Sequence, residues 1–201
     1  MTNARYRLEI ENLLASFVQS DDLETDTASF RTKVPSVAPE GFLNVLFKPI
    51  GSAHLKRAKN DLTLPLSYSE FLIEFNGLRL FFDKFCVLGI GSPDEQVDRS
   101  GLAGQRPVPI QDFMPASESR LRGLSVVPVG WYGFDGSIAY MKRDDESVVF
   151  LPKACNMRGE ITWTSLSHWM FAEVERIASL YSPTGILQYP SEFTIPHANL
   201  A

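Results

Sequence analysis

Leu64-Pro65-Leu66-Ser67-Tyr68-Ser69-Glu70-Phe71-Leu72-Ile73-Glu74-Phe75-Asn76-Gly77 carries the signals to start, orient and stop one helix. Ser67 is a natural N-cap, and Glu70 lies three residues on. The Ser67 hydroxyl can accept the Glu70 N–H while the Glu70 carboxylate reaches back to the Ser67 N–H, a capping box. Leu66 and Phe71 are spaced to close as a hydrophobic staple, and Pro65 keeps the incoming chain out of the helix. Tyr68, Phe71, Leu72 and Phe75 recur at helical spacing, so one face is aromatic and apolar while Ser69, Glu70 and Glu74 look outward. Gly77 supplies the left-handed residue that ends the helix, with Asn76 as C-cap and Leu78 placed to touch Ile73. From Gly77 the period changes. Leu78, Leu80 and Phe82 alternate, and Phe85 to Ile90 is a second β-like run, so the helix docks on a sheet that begins where it stops.

Upstream, Ser52 caps a helix over Ala53 to Leu62 whose apolar positions Leu55, Ala58 and Leu62 leave Lys56, Arg57 and Lys59 outside. Phe42 to Phe47 is a short apolar run compatible with a strand or a helix turn. Asp21 to Gly41 is acidic and then broken by Pro35 and Pro39, the composition of a linker or a long surface connection. Tyr6 to Ser20 forms an amphipathic helix with Ile10, Leu13, Leu14, Phe17 and Val18 on one face, a stripe suited to covering a domain edge or another chain.

Downstream, Ser92 to Gly104 has the composition of an exposed loop, and Pro115 to Leu121 can hold a helix. The strongest β region follows. Val126 to Val129, Ser137 to Met141 and Ser147 to Leu151 are strands separated by a turn-rich tip, Gly130 to Gly136, and by a polar turn, Arg143 to Glu146. Ile161 to Trp163 adds a short strand, and Thr164 or Ser165 caps a last helix with Leu166, Trp169 or Met170, Val174, Ile177, Ala178 and Tyr181 on its buried side. The tail from Ser182 is broken by Pro183, Pro190 and Pro196. Helices, strands and a terminal helix in this order predict an α+β fold, a single antiparallel or mixed central sheet flanked by helices.

Composition and motifs restrict the chemistry. With 44% apolar residues in 201, the chain can bury a substantial core. No apolar run approaches the ~20 residues of a membrane span, and no secretory leader pattern is present, so the expectation is a cytoplasmic protein without a membrane partner. Cys86 and Cys155 form no C-x-x-C pair and read as two buried thiols. A net charge of −5 argues against a nucleic-acid partner, which needs clustered cations, and suits a basic protein partner. His54, His168 and His197 stand in three separate elements without metal-ligand spacing, and no Gly-rich phosphate loop or nucleophile elbow occurs. No metal, cofactor or catalytic residue is therefore expected. Asp135, Asp144, Asp145 and Glu146 lie in turns, where turn chemistry accounts for them.

One feature stands apart. Trp131, Tyr132 and Phe134 lie beside Asp135 on what should be a solvent-facing strand connection. Aromatics on glycine-rich turns are common in binding surfaces, and they are equally able to fold back and cap a sheet end. The candidate partner surface is this tip, Trp131, Tyr132, Phe134 and Asp135, together with the acidic loop residues Asp94, Glu95 and Asp98.

The chain resembles the SUKH superfamily, which includes the fungal Smi/Knr cell-wall regulators and many bacterial toxin-immunity proteins. The matching residues are Pro49-Ile50-Gly51-Ser52, the helix Ala53 to Leu62, Leu64-Pro65, Tyr68, Phe71-Leu72 and Asn76-Gly77, then Val127-Pro128-Val129-Gly130, Asp135-Gly136-Ser137-Ile138 and the closing strand and helix. Where the family usually has Gly-Asp or Gly-Asn before the central strand, Gly136-Ser137 stands here. The resemblance implies a SUKH-like domain over 49–181, preceded by an N-terminal helix and Pro-containing connection, 1–48, and followed by a non-helical tail, 182–201. It implies a non-enzymatic protein-binding domain, an immunity protein that neutralises a cognate bacterial toxin by direct binding, with a nuclease toxin suited to the negative charge. The alternative it leaves is a regulatory or scaffold module of the Smi/Knr type. Neither reading sets an oligomeric state.

Overall fold

The structure, a computed structural model, describes residues 5–17, 21–34, 41–91, 106–114, 123–152 and 161–189. Its centre is one antiparallel sheet of nine strands that neighbour one another in chain order: β1 Leu23–Glu24, β2 Ala28–Lys33, β3 Phe42–Phe47, β4 Leu78–Leu80, β5 Phe85–Val87, β6 Val126–Tyr132, β7 Ser137–Lys142, β8 Val148–Leu151 and β9 Ile161–Trp163. Among the described residues four α-helices accompany it: α1 Arg5–Leu13, α2 Ser52–Leu62, α3 Leu66–Glu74 and α4 Leu166–Ala178. The chain forms the expected α+β fold with a single sheet, and of the two expected kinds, antiparallel or mixed, the sheet is antiparallel. No described helix is long and apolar enough to cross a membrane.

Register sets the two faces. Leu46, Leu78, Val87, Gly130, Ala139 and Phe150 are successive partners across β3 to β8. Direct cross-strand partners share a face, and this row joins the main core with Tyr6 and Ile10 of α1, Tyr68, Phe71 and Leu72 of α3, and Trp169, Met170 and Val174 of α4. One residue out of phase, Phe30, Val45, Arg79, Cys86, Trp131, Ile138 and Leu151 are partners on the other face. The seat for α4 is Gly130, where a Cβ would stand 2.4 Å from the Trp169 ring. The glycine expected to open a turn is thus a strand residue that admits a tryptophan.

The N-terminal region departs from the sequence reading. The expected helix Tyr6 to Ser20 is shorter, α1 with a 3₁₀ turn at Ala15–Phe17, and Ile10, Leu14 and Phe17 of its stripe are buried in the main core rather than offered to another chain. Val18 lies outside the described residues. Within the expected linker, β1 and β2 form an edge of the sheet. The alternation there is disguised because its polar residues bond to one another: Ser29 Oγ donates to Glu24 at 2.7 Å, Arg31 pairs with Asp22 and Glu24, and Asp22 accepts the Thr32 N–H at 2.7 Å. The segment expected as a helix at 115–121 lies outside the described residues, as do Cys155 and His197; Ile110–Phe113 beside it is a 3₁₀ turn.

Candidate functional site

The motif that decides the fold works differently from its local reading. α3 starts at Leu66 with Pro65 as N-cap, Ser67 makes no cap, and its hydroxyl is buried without a partner among the described residues. The free N–H groups of the first turn go to another part of the chain: Leu66 N donates to Glu146 Oε1 at 2.8 Å and Ser67 N to Glu146 Oε2 at 3.2 Å. From the same β7–β8 turn, Arg143 donates to the carbonyls of Leu62 and Thr63 at the end of α2, at 3.1 and 3.0 Å. A cation thus sits on a helix C-terminus and an anion on the next helix N-terminus, each opposite the end it favours. The turn Arg143 to Glu146, expected only to connect two strands, clamps the Leu64-Pro65 link.

The other end of α3 shows the same substitution of distant for local partners. At the start of the helix Leu66 is 59% exposed, so no staple closes over the cap, whereas Ser69 and, at its last residue, Glu74, both expected outside, are buried. Glu74 accepts the N–H groups of Tyr6 and Arg7 at 3.3 and 2.6 Å and so caps α1, while Arg7 donates back to the Glu74 carbonyl at 2.7 Å and lies over the Phe75 ring. Asn76 is not a C-cap. Its side chain pairs with both backbone groups of Ile90, at 2.8 and 3.1 Å. Gly77 has φ +94°, and a Cβ there would stand 2.9 Å from Val87 O, so the glycine is needed both for the turn and for the close pass of β5. Tyr68 completes this lock by donating to Leu88 O at 2.6 Å.

The aromatic tip is built on the β6–β7 hairpin. One extra residue between Pro128 and Gly130 bulges β6, which re-aims the side chains that follow it. The strand runs on to Tyr132, so the turn is only 133–136, narrower than the expected tip. Asp135 closes it by accepting the Ser137 N–H at 2.8 Å and the Ser137 hydroxyl. Trp131 and Phe134 are half-buried, and Trp131 packs against Phe113 with ring centroids 6.1 Å apart. Tyr132, expected at the tip surface, turns inward. It is fully buried, packs against Phe85 and Phe150, and accepts the Trp169 indole N–H at 2.9 Å. Burial holds its hydroxyl far above the usual tyrosine range.

A second turn lies against the first. The β4–β5 connection, residues 81–84, brings the Asp83 carbonyl to the place a Cβ on Gly133 would take, 2.2 Å away, with the Trp131 ring 3.4 Å from the same point. Arg79 pairs with Asp83 through Nε to Oδ1 at 2.7 Å and a second bond to Oδ2, and that bond holds its guanidinium charged. Cys86, between Arg79 and Trp131 in the row, is buried, and burial raises its thiol, so it is not an activated nucleophile. His168 is exposed in the first turn of α4. Its N–H goes to the Ser165 hydroxyl at 3.1 Å, the local cap the sequence predicts.

The structure therefore brings Trp131 together with Phe113 and, across Gly133, with the Asp83 carbonyl and its Arg79 partner, which sequence reasoning missed; Tyr132 turns into the core with Phe134 packed against it, ring centroids 5.7 Å apart, and Asp135 closes the turn onto Ser137. Asp94, Glu95 and Asp98 lie outside the described residues. Arg79 and Asp83 bracket a hairpin at a spacing of four, a weak signal without a glycine or asparagine between them to mark the turn. Half-exposed aromatics beside a rigid ion pair can bind a protein surface. Family models, curated proteins and solved structures give no match to this chain.

Proposed function

We propose that the chain is a non-enzymatic protein-binding domain of the SUKH type, an immunity protein that neutralises a cognate bacterial toxin in the cytoplasm by binding it directly. The observation that carries the binding half is the half-exposed Trp131, packed against Phe113 and set beside Gly133 and the turn that the Arg79–Asp83 pair closes. An aromatic anchor on a rigid strand loses little side-chain entropy when a partner covers it. The toxin half rests on the sequence resemblance and on the net charge of −5, which would speed encounter with a basic nuclease.

The test is co-expression with the product of the adjacent gene in a bacterial host. Growth restored by the wild-type chain, together with a stable complex of the two purified proteins, supports the reading. An adjacent gene that encodes no toxic protein, or toxicity the chain leaves untouched, removes it.

A further inference from the structure

The turn between β4 and β5 is built from backbone that its residues resist. Phe81, Phe82 and Asp83 have φ of 55°, 54° and 63°, three consecutive left-handed residues without a glycine. Such geometry is disfavoured for any L residue and most of all for bulky ones, and it persists only where the surroundings over-determine it. An Asn-Gly turn would close a tight hairpin without that strain.

The surroundings here are specific. Phe81 N–H donates to Asn44 Oδ1 at 3.1 Å, Phe82 N–H to Leu43 O at 3.0 Å, and Tyr181 Oη to Phe81 O at 3.3 Å. The Phe81 ring packs against Phe17 and Tyr181, at 6.0 and 5.3 Å. Asp83 is tied back across the turn to Arg79 by two bonds. The product of this arrangement is one contact: the Asp83 carbonyl lies against Gly133, whose missing side chain also leaves room for the Trp131 ring.

We propose that Arg79 and Asp83 are positioning residues: by locking the left-handed turn against Gly133 they fix the Trp131 indole as the preorganised centre of the protein-contact surface. This rests on the reading of that surface given above, but the positioning can be measured without any partner. Trp131 is half-buried, whereas Trp163 and Trp169 are 8% and 0% exposed, so its indole can be read separately.

The experiment is a ¹H–¹⁵N spectrum of the full chain, with the Trp131 indole assigned by its loss in Trp131→Phe, together with acrylamide quenching. Asp83→Gly removes the pair and frees the backbone, and Gly133→Ala drives the two turns apart. Both are expected to shift the Trp131 indole resonance and raise its quenching while those of Trp163 and Trp169 stay in place. Asp83→Asn tolerates the left-handed backbone and can still accept from Arg79, so it should restore the wild-type position. Arg143→Met, which loosens the fold at the other clamp, should lower the melting temperature and leave Trp131 unmoved. A folded Asp83→Gly and Gly133→Ala with unshifted Trp131, or an equal shift in Arg143→Met, overturns the proposal. Co-expression with the adjacent gene product separates the two claims. A Trp131 displaced in Asp83→Gly with protection intact upholds the positioning and overturns the surface's role in binding.

Discussion

Two rows of residues cross the same sheet one position out of phase and are used for different ends. Leu46, Leu78, Val87, Gly130, Ala139 and Phe150 lie under the helices, and even their smallest member is shaped by packing, since Gly130 seats Trp169. Their neighbours Val45, Arg79, Cys86, Trp131, Ile138 and Leu151 include a guanidinium, a thiol and a half-exposed indole. A row chosen for packing alone would not place arginine and tryptophan on either side of a buried cysteine. The helix side holds the main core, while the other face holds two smaller buried clusters, around Phe30, Val45 and Phe47 and around Val126 and Tyr140, together with the half-exposed Trp131.

The largest expected effect tests the helix side. Trp169→Ala leaves a hole over Gly130 and takes the indole N–H from the Tyr132 hydroxyl, and should cost about 3–5 kcal/mol in denaturant unfolding. A loss under about 1 kcal/mol would mean that the Gly130 seat contributes little. Next comes the fastening of the helices to the sheet. Glu146→Ala uncaps α3 and should cost about 1–2 kcal/mol, where Ser67→Ala, the substitution a local capping box would make damaging, should be close to neutral. The reverse ranking would restore the capping box.

Tyrosines of the helix-side core set the alkaline limit. Burial raises Tyr6 and Tyr181 from 10.0 to about 12, and pushes Tyr68 and Tyr132 well above the usual tyrosine range. The protonated phenol is favoured in the fold, so this stability is complete below pH 10 and is lost as the pH rises through and beyond that of the unfolded chain. Phenolate absorbance above pH 10 should therefore rise together with loss of near-ultraviolet circular dichroism. Early titration of these four groups in a protein that stays folded would show that water reaches them. The smallest effect belongs to the opposite face, where Trp131→Ala should change unfolding free energy by about 1 kcal/mol or less.

What the sequence could show follows from whether a feature is local. The strands β7, β8 and β9, the α4 cap at Ser165 and its buried stripe depend on neighbours a few residues away, and they stand close to where periodicity places them, whereas β4 ends at Leu80 with Phe82 in the turn and β5 ends at Val87. The α3 cap does not. Ser67 and Glu70 have the spacing of a capping box, yet Glu146 takes the N–H groups because the β7–β8 turn brings a carboxylate to them. β1 and β2 were hidden because their polar residues pair across the strands, as Arg31 does with Glu24. At the candidate site, Trp131 was legible as an aromatic out of place. The inward turn of Tyr132 was not, because the strand continues two residues past the glycine that seemed to end it. The 81–84 turn has no glycine or asparagine to announce it, and its left-handed backbone is imposed by Asn44, Leu43 and Tyr181, distant in sequence.

The division of labour between the two faces is tested most directly by the affinity of the Trp131→Ala, Phe134→Ala double variant for the adjacent gene product, measured by calorimetry beside its unfolding free energy. The account predicts a folded protein whose binding is weaker by about 2 kcal/mol or more, roughly thirtyfold, with protection lost on co-expression. A folded double variant that binds and protects as the wild type does would contradict it and place the contact elsewhere on the molecule.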